Sequence, residues 1–212
     1  MKKIILLFFA VLSFPAIQAQ NKKFVAAMEK QLAILDTAKT KEHFQQVYNS
    51  FERISNAEGK EWLPKYYMAY CSVLMSYMDD VSKADEYCDR ADALLLKADS
   101  LSPNNSEIYV LRSWATSSRI RVNPMTRGAK FGPESGILLA KAKELDANNP
   151  RVYLLDGQGK FYTPPAFGGG KDKAKPVLEE AVKKYETFKP ASSISPTWGA
   201  AQAKKMLDEC NK

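Results

Sequence analysis

The chain carries one histidine, His43, and three cysteines, Cys71, Cys88 and Cys210. That inventory removes most metal and nucleophile chemistry at once. There is no Cys-x-x-Cys or His-Glu-x-x-His to hold zinc, and no Gly-x-Ser-x-Gly turn to present a serine to a base. The acidic pairs Asp79-Asp80 and Glu179-Glu180 fall at a helix end and on an exposed helical face, where solvated surface residues are expected and not an acid–base pair. Phe167-Gly168-Gly169-Gly170-Lys171 has glycines suited to a phosphate loop, but Asp172 stands where a Walker loop needs Ser or Thr. A strand should precede such a loop, whereas Phe161-Tyr162 ends a helical pattern. A glycine-shaped turn with Phe167 tucked against it is expected instead. No catalytic residue, metal site or cofactor is assigned, and the chain reads as a non-enzyme. Cys71 and Cys88 lie on apolar faces of consecutive helices. Two readings stay open there: two buried free thiols, or a Cys71–Cys88 disulfide with Cys210 left single.

The start of the chain gives its address. Met1-Lys2-Lys3 precedes an apolar run from Ile4 to Leu12, then Ser13-Phe14-Pro15-Ala16-Ile17-Gln18-Ala19. Two lysines, a short apolar stretch and a small residue at Ala19 make a secretory signal peptide over 1–19, cleaved after Ala19. The run is too short for a retained spanning helix, and no cysteine follows the cleavage point to carry a lipid. A periplasmic or secreted protein with no transmembrane segment is expected. Residues 20–212 are one domain's worth of chain. Without Lys2 and Lys3 the formal charge falls from +7 to +5, and the charges are interspersed along helices. That is a solvated helical surface and not a nucleic-acid footprint.

Internal similarity organises the rest. Lys97-Ala98-Asp99-Ser100-Leu101-Ser102-Pro103-Asn104-Asn105 and Lys141-Ala142-Lys143-Glu144-Leu145-Asp146-Ala147-Asn148-Asn149 align at an offset of 44. Each ends one amphipathic helix, turns at Asn-Asn and begins the next. Upstream, small-x-x-x-Leu-x-x-Ala recurs as Ala91, Leu95, Ala98, then Ser135, Leu139, Ala142, then Ala174, Leu178, Ala181. Together these residues resemble the tetratricopeptide repeat, with Pro103 at its exit proline and Gly157 at a small position of a first helix. Ala147 departs from the exit proline, and Ser113 and Cys71 fill the small position less well. The resemblance implies an all-α, right-handed superhelical stack of antiparallel helix hairpins. Units are expected at about 60–103, 104–148 and 149–190.

The usual repeat is about 34 residues, so these units carry about 10 and 5 extra. The surplus is expected in two loops on one edge of the stack, 122–133 and 163–170, both rich in proline and glycine. Pro176 is tolerated only in a helix's first turn, which points to Asp172 as a cap. Helices are expected at about 21–36, 40–57, 61–78, 82–101, 105–121, 134–146, 149–162 and 172–188, with a capping helix at 195–211. Phe24, Met28, Leu32 and Leu35 recur at helical spacing and should close the other end.

In tetratricopeptide repeats the first helix of each pair lines a concave groove. By that analogy the groove residues are Met68, Ser72 and Met75, then Val110, Trp114 and Ser117, then Leu154, Gln158 and Phe161. Arg119, Arg121, Arg127 and Lys130, with Phe167, stand as rim candidates able to orient a carboxylate or phosphate, against plain solvation of that loop. The resemblance implies a binding scaffold that holds a peptide or partner protein. The alternative is a small-molecule or lipid carrier of an envelope transport system, taking a small apolar ligand. Pro165-Ala166-Phe167-Gly168-Gly169 followed by Lys173-Ala174 supports it, being similar to a loop in exported bacterial repeat proteins. Among these is the helical periplasmic component associated with some solute transporters.

Overall fold

A computed structural model of the chain describes the backbone from residue 13 and side chains from residue 22, both through Lys212. Most of the signal-peptide reading, residues 1–12, therefore lies outside the described residues. The helices are α1 (Ser13–Leu35), α2 (Lys41–Ala57), α3 (Leu63–Ser76), α4 (Ala84–Leu101), α5 (Ser106–Ser118), α6 (Pro124–Leu145), α7 (Pro150–Tyr162), α8 (Lys171–Thr187) and α9 (Ala200–Cys210). Short 3-10 turns lie at Val81–Lys83, Arg119–Val122 and Pro165–Phe167. No strand occurs among the described residues. The fold is all-α, with consecutive helices packed as neighbouring pairs and α5 also touching α3 and α7.

The Asn-Asn turns work as the aligned segments suggest. Asn105 Oδ1 accepts from Glu107 N at 3.0 Å and Asn149 Oδ1 accepts from Arg151 N at 3.0 Å, each capping the next helix. Such caps contribute about 1 kcal/mol each by satisfying a backbone N–H that has no partner in the helix. Asn104 adopts the left-handed conformation (φ 59°), which asparagine tolerates better than most residues. The repeated small residues sit where helices touch: Ala91, Leu95, Ala98, Ala142, Ala174, Leu178 and Ala181 are fully buried. At Gly157 a Cβ would lie 2.6 Å from Leu178 Cδ2, so α7 and α8 approach closely only because that position has no side chain.

Two elements correct the expectation. The 122–133 stretch is not a loop but the first half of α6, which begins with Asn123 Oδ1 accepting from Thr126 N at 3.2 Å and with Pro124 in its first turn. Pro133 inside α6 forfeits one backbone bond, and it follows Gly132, the residue type least restricted by a proline after it. Only the 163–170 loop remains long. At α8 the cap is Gly170 and not Asp172, so Pro176 lies within the helix.

Phe24, Met28 and Leu35 of α1 are buried in the main core with Leu32 packed against it. A second, smaller core joins α7, α8 and α9 through Leu154, Leu178, Ala203 and Met206. The last helix starts at Ala200, later than expected, because residues 190–199 run as an irregular segment back across α3, α5 and α7. Cys71 and Cys88 are buried free thiols and not a disulfide, and Cys210 is half-buried. Burial pushes the Cys88 thiol up to about 12 and the Cys71 thiol higher still.

Candidate functional site

Three helices bring an aromatic and polar stripe to one place. Leu74 lies in the last turn of α3 with Tyr77 just past its end, Trp114 and Ser117 lie on α5 with Arg121 just beyond it, and Leu155, Gln158 and Tyr162 follow on α7. Spacings of three and four residues put each set on one helical face. With the α6 residues Ser135, Gly136 and Leu139 and the loop residues Thr163, Phe167, Gly168 and Gly169 they line a cavity of about 960 Å³. That is the size range of pockets that enclose a small organic ligand.

One wall is a cluster of rings. Trp114, 5% exposed, has ring centroids 5.2 Å from Trp198, 6.0 Å from Tyr70 and 6.1 Å from Tyr77. Its Nε1 donates to Tyr77 Oη at 3.0 Å, and that hydroxyl lies 2.9 Å from Ser118 Oγ. The Arg121 guanidinium stacks 3.9 Å above the Tyr77 ring and donates from Nη1 to the Ser76 carbonyl at 3.1 Å. Its remaining N–H groups have no acceptor among the described residues. Lys160, the other cation on the lining, is paired with Asp156.

The 163–170 loop forms the opposite lip. Gly169 comes so close to Thr163 that a Cβ would fall 2.1 Å from its carbonyl oxygen, and Gly168 and Gly170 take positive φ. This tight turn pushes Phe167 outward. Its side chain is 71% exposed at the cavity edge and not tucked against the turn.

A buried polar network holds the back of the ring cluster. Arg151, 0% exposed, donates from Nη1 to Glu107 Oε1 at 2.9 Å and from Nη2 to the Pro196 carbonyl. Glu107 also accepts from Asn149 Nδ2 at 3.0 Å and from Tyr66 Oη at 3.4 Å. Burial raises the Glu107 carboxyl above its ordinary value, opposed by Arg151 and by these hydrogen bonds. Tyr67 Oη donates to the Ile194 carbonyl at 2.9 Å and Trp198 Nε1 to Tyr66 Oη at 2.9 Å. Residues 194–198 are thereby tied to α3, α5 and α7 at once.

The expected groove residues divide accordingly. Trp114, Ser117 and Gln158 line the cavity. Met68, Ser72, Met75, Val110 and Leu154 are buried, and Phe161 packs against the second core. The apolar groove candidates Met68, Met75, Val110 and Leu154 go to the interior, while Trp114 and Gln158, whose polar atoms need partners, reach the cavity. Of the rim candidates, Arg121 and Phe167 reach the cavity. Arg119 is held by Asp89 and Asp92 at 2.7 Å each and Arg127 by Asp85 at 2.8 Å, all from α4. Lys130 is exposed with its ammonium 5.0 Å from the Phe131 ring. Tyr77, Leu139 and Gly136 are lining residues that the sequence reading misses, although Tyr70, Leu74 and Tyr77 share a helical face. The described residues contain no cluster of His, Cys, Asp and Glu able to hold a metal ion.

Among solved structures the chain is similar to the HusA haemophore from Porphyromonas gingivalis. The TM-score is 0.81 and the identity 40%, over 88% of this chain and 92% of that one. No family model matches the chain, and no curated protein matches it.

Proposed function

Because the chain belongs to the family of the HusA haemophore, we propose that it binds haem as a cargo in the cavity bounded by α5, α6, α7 and the 163–170 loop. That kinship carries the reading, and the cavity's chemistry supports it. Haem is a broad, flat, largely apolar ring with two carboxylates on one edge. Leu74, Trp114, Ile120, Leu139 and Leu155 offer apolar surface of that kind, and Arg121 offers N–H groups for a carboxylate. The lining holds no histidine, cysteine or methionine, so affinity comes from the ring and its carboxylates more than from a nitrogen or sulfur ligand to iron.

The small-ligand carrier is thus preferred over the peptide scaffold. Residues 194–198 of the chain itself occupy the face that an extended peptide would need. The lysines and apolar run at 2–12 support export, and among the described residues no helix is long and apolar enough to cross a membrane.

Titrating hemin into the chain from Gln20 to Lys212 tests the proposal, with Soret absorbance and quenching of Trp114 and Trp198 fluorescence as readouts. Saturation at one hemin per chain is expected. Arg121→Gln should weaken binding about 10-fold, the scale of one charge-assisted hydrogen bond. A response that never saturates, or one with no fixed stoichiometry, refutes it.

A further inference from the structure

We infer that Gly136 of α6 and Gly159 of α7 set the width of the cavity for the flat face of a ring ligand, and that any side chain at either position narrows it. The inference rests on the haem reading for its ligand class and goes beyond it in naming what selects that class.

Glycine inside a helix is unfavourable, because it gives up more backbone freedom than any other residue on folding. Most glycines here have a reason within the chain. A Cβ at Gly157 would strike Leu178 at 2.6 Å and one at Gly169 the Thr163 carbonyl at 2.1 Å. Gly168, Gly170 and Gly199 take positive φ. Gly132 precedes Pro133, and a proline disfavours the helical conformation for a preceding residue that carries a Cβ. Gly136 and Gly159 have no such reason. Both lie within helices, neither has positive φ, and a Cβ at either would meet nothing within 4 Å.

Both line the same cavity, from different helices, and both are exposed to it. The open space beside them faces the cavity, unlike that beside Gly128 of the same helix α6. A glycine lets a ligand approach helix backbone to van der Waals distance, and two of them on separate walls suit an occupant with broad flat faces. Trp114 and Tyr77 line the same cavity and add aromatic surface to it.

The test uses Gly136→Ala, Gly159→Ala, the double variant and Gly159→Leu, with Gly128→Ala as control. Gly128 also lies in α6 with open space around it but is not on the cavity wall. Each alanine variant, the control included, should raise Tm by about 1–4 °C, since a helix glycine is removed without a clash. Hemin affinity should be unchanged in Gly128→Ala. It should fall about 10-fold or more in the double variant, the scale of overpacking a filled site, and be lost in Gly159→Leu. Wild-type binding retained by the double variant and by Gly159→Leu overturns the inference while leaving the haem reading in place. If wild type binds metal-free protoporphyrin but not hemin, the haem reading falls and the glycine variants are judged on that porphyrin. If it binds neither, both fall.

Discussion

Arg151→Met isolates the network behind the cavity. The guanidinium is fully buried, paired with Glu107 at 2.9 Å, bonded to the Pro196 carbonyl and placed 5.3 Å from the Trp198 ring centroid. Methionine preserves much of the apolar volume but leaves the Glu107 carboxylate without its positive partner, held only by Asn149 and Tyr66, and the Pro196 carbonyl without its Arg151 donor. Removing one partner of a buried ion pair costs about 3–5 kcal/mol. The Nε of Arg151 has no acceptor, so the pair is already imperfect and the loss should fall at the lower end. Against a typical total of about 5–15 kcal/mol the variant should still fold.

The pH dependence supplies the sharper test. Burial already raises the Glu107 carboxyl, and Arg151 is the largest influence opposing that rise. Without Arg151 the folded-state value climbs further above the unfolded one. A carboxyl raised on folding binds its proton more tightly in the native state, so stability is highest below the ordinary glutamate value and declines as pH rises through the raised one. The stability gap between wild type and Arg151→Met should therefore be wide at pH 7.5 and narrower at pH 4.5. A tenfold tighter hold on that proton accounts for about 1.4 kcal/mol of the difference. Urea denaturation followed by far-ultraviolet circular dichroism measures both, and Arg151→Met with Glu107→Gln should recover part of the loss at pH 7.5. A loss below about 1 kcal/mol at pH 7.5, or an equal loss at both pH values, refutes the reasoning.

Two further outcomes follow from packing. Gly157→Ala should lower the urea midpoint, because overpacking against Leu178 costs about 1–3 kcal/mol and exceeds the gain of up to about 1 kcal/mol from replacing a helix glycine; a raised midpoint contradicts the close contact. In the native protein a thiol reagent at pH 8 should label Cys210 alone, with Cys71 and Cys88 reacting only in denaturant, because burial holds both thiols protonated. Mass spectrometry counts the labels, and rapid native labelling of Cys88 or a recovered Cys71–Cys88 bond contradicts it.

What is legible in the sequence is what local physics repeats. The Asn-Asn exits and buried small residues can be aligned because a helix start needs a cap and a close helix contact needs a small side chain wherever they occur. The 44-residue offset even pairs Glu107 with Arg151, equivalent positions that form the buried ion pair. The first half of α6 escapes such a reading because proline and glycine count as breakers, although Asn123-Pro124 is itself a helix start and Gly132 relieves Pro133. Arg119 and Arg127 cannot be seen as paired, since their acidic partners lie on α4, 27 to 42 residues away.

The largest gap between sequence and site concerns residues 194–198, which pack behind the lining residue Trp114. Helical periodicity describes how one helix meets the next. It carries no information about an irregular segment returning 127 residues later to accept a hydrogen bond from Tyr67. Once that segment is in place, Trp198 closes against Tyr70 and Trp114, and a face that would be open along the stack ends at a wall of rings. An open groove favours an extended partner, whose backbone finds hydrogen bonds along its length. A bounded cavity favours a compact ligand that can bury most of its surface at once. The proposed carrier reading and the scaffold reading thus differ in what they require of the short segment 194–198. Weakening its anchorage, as Arg151→Met does, should loosen ligand binding through Trp198, which packs against the lining residue Trp114.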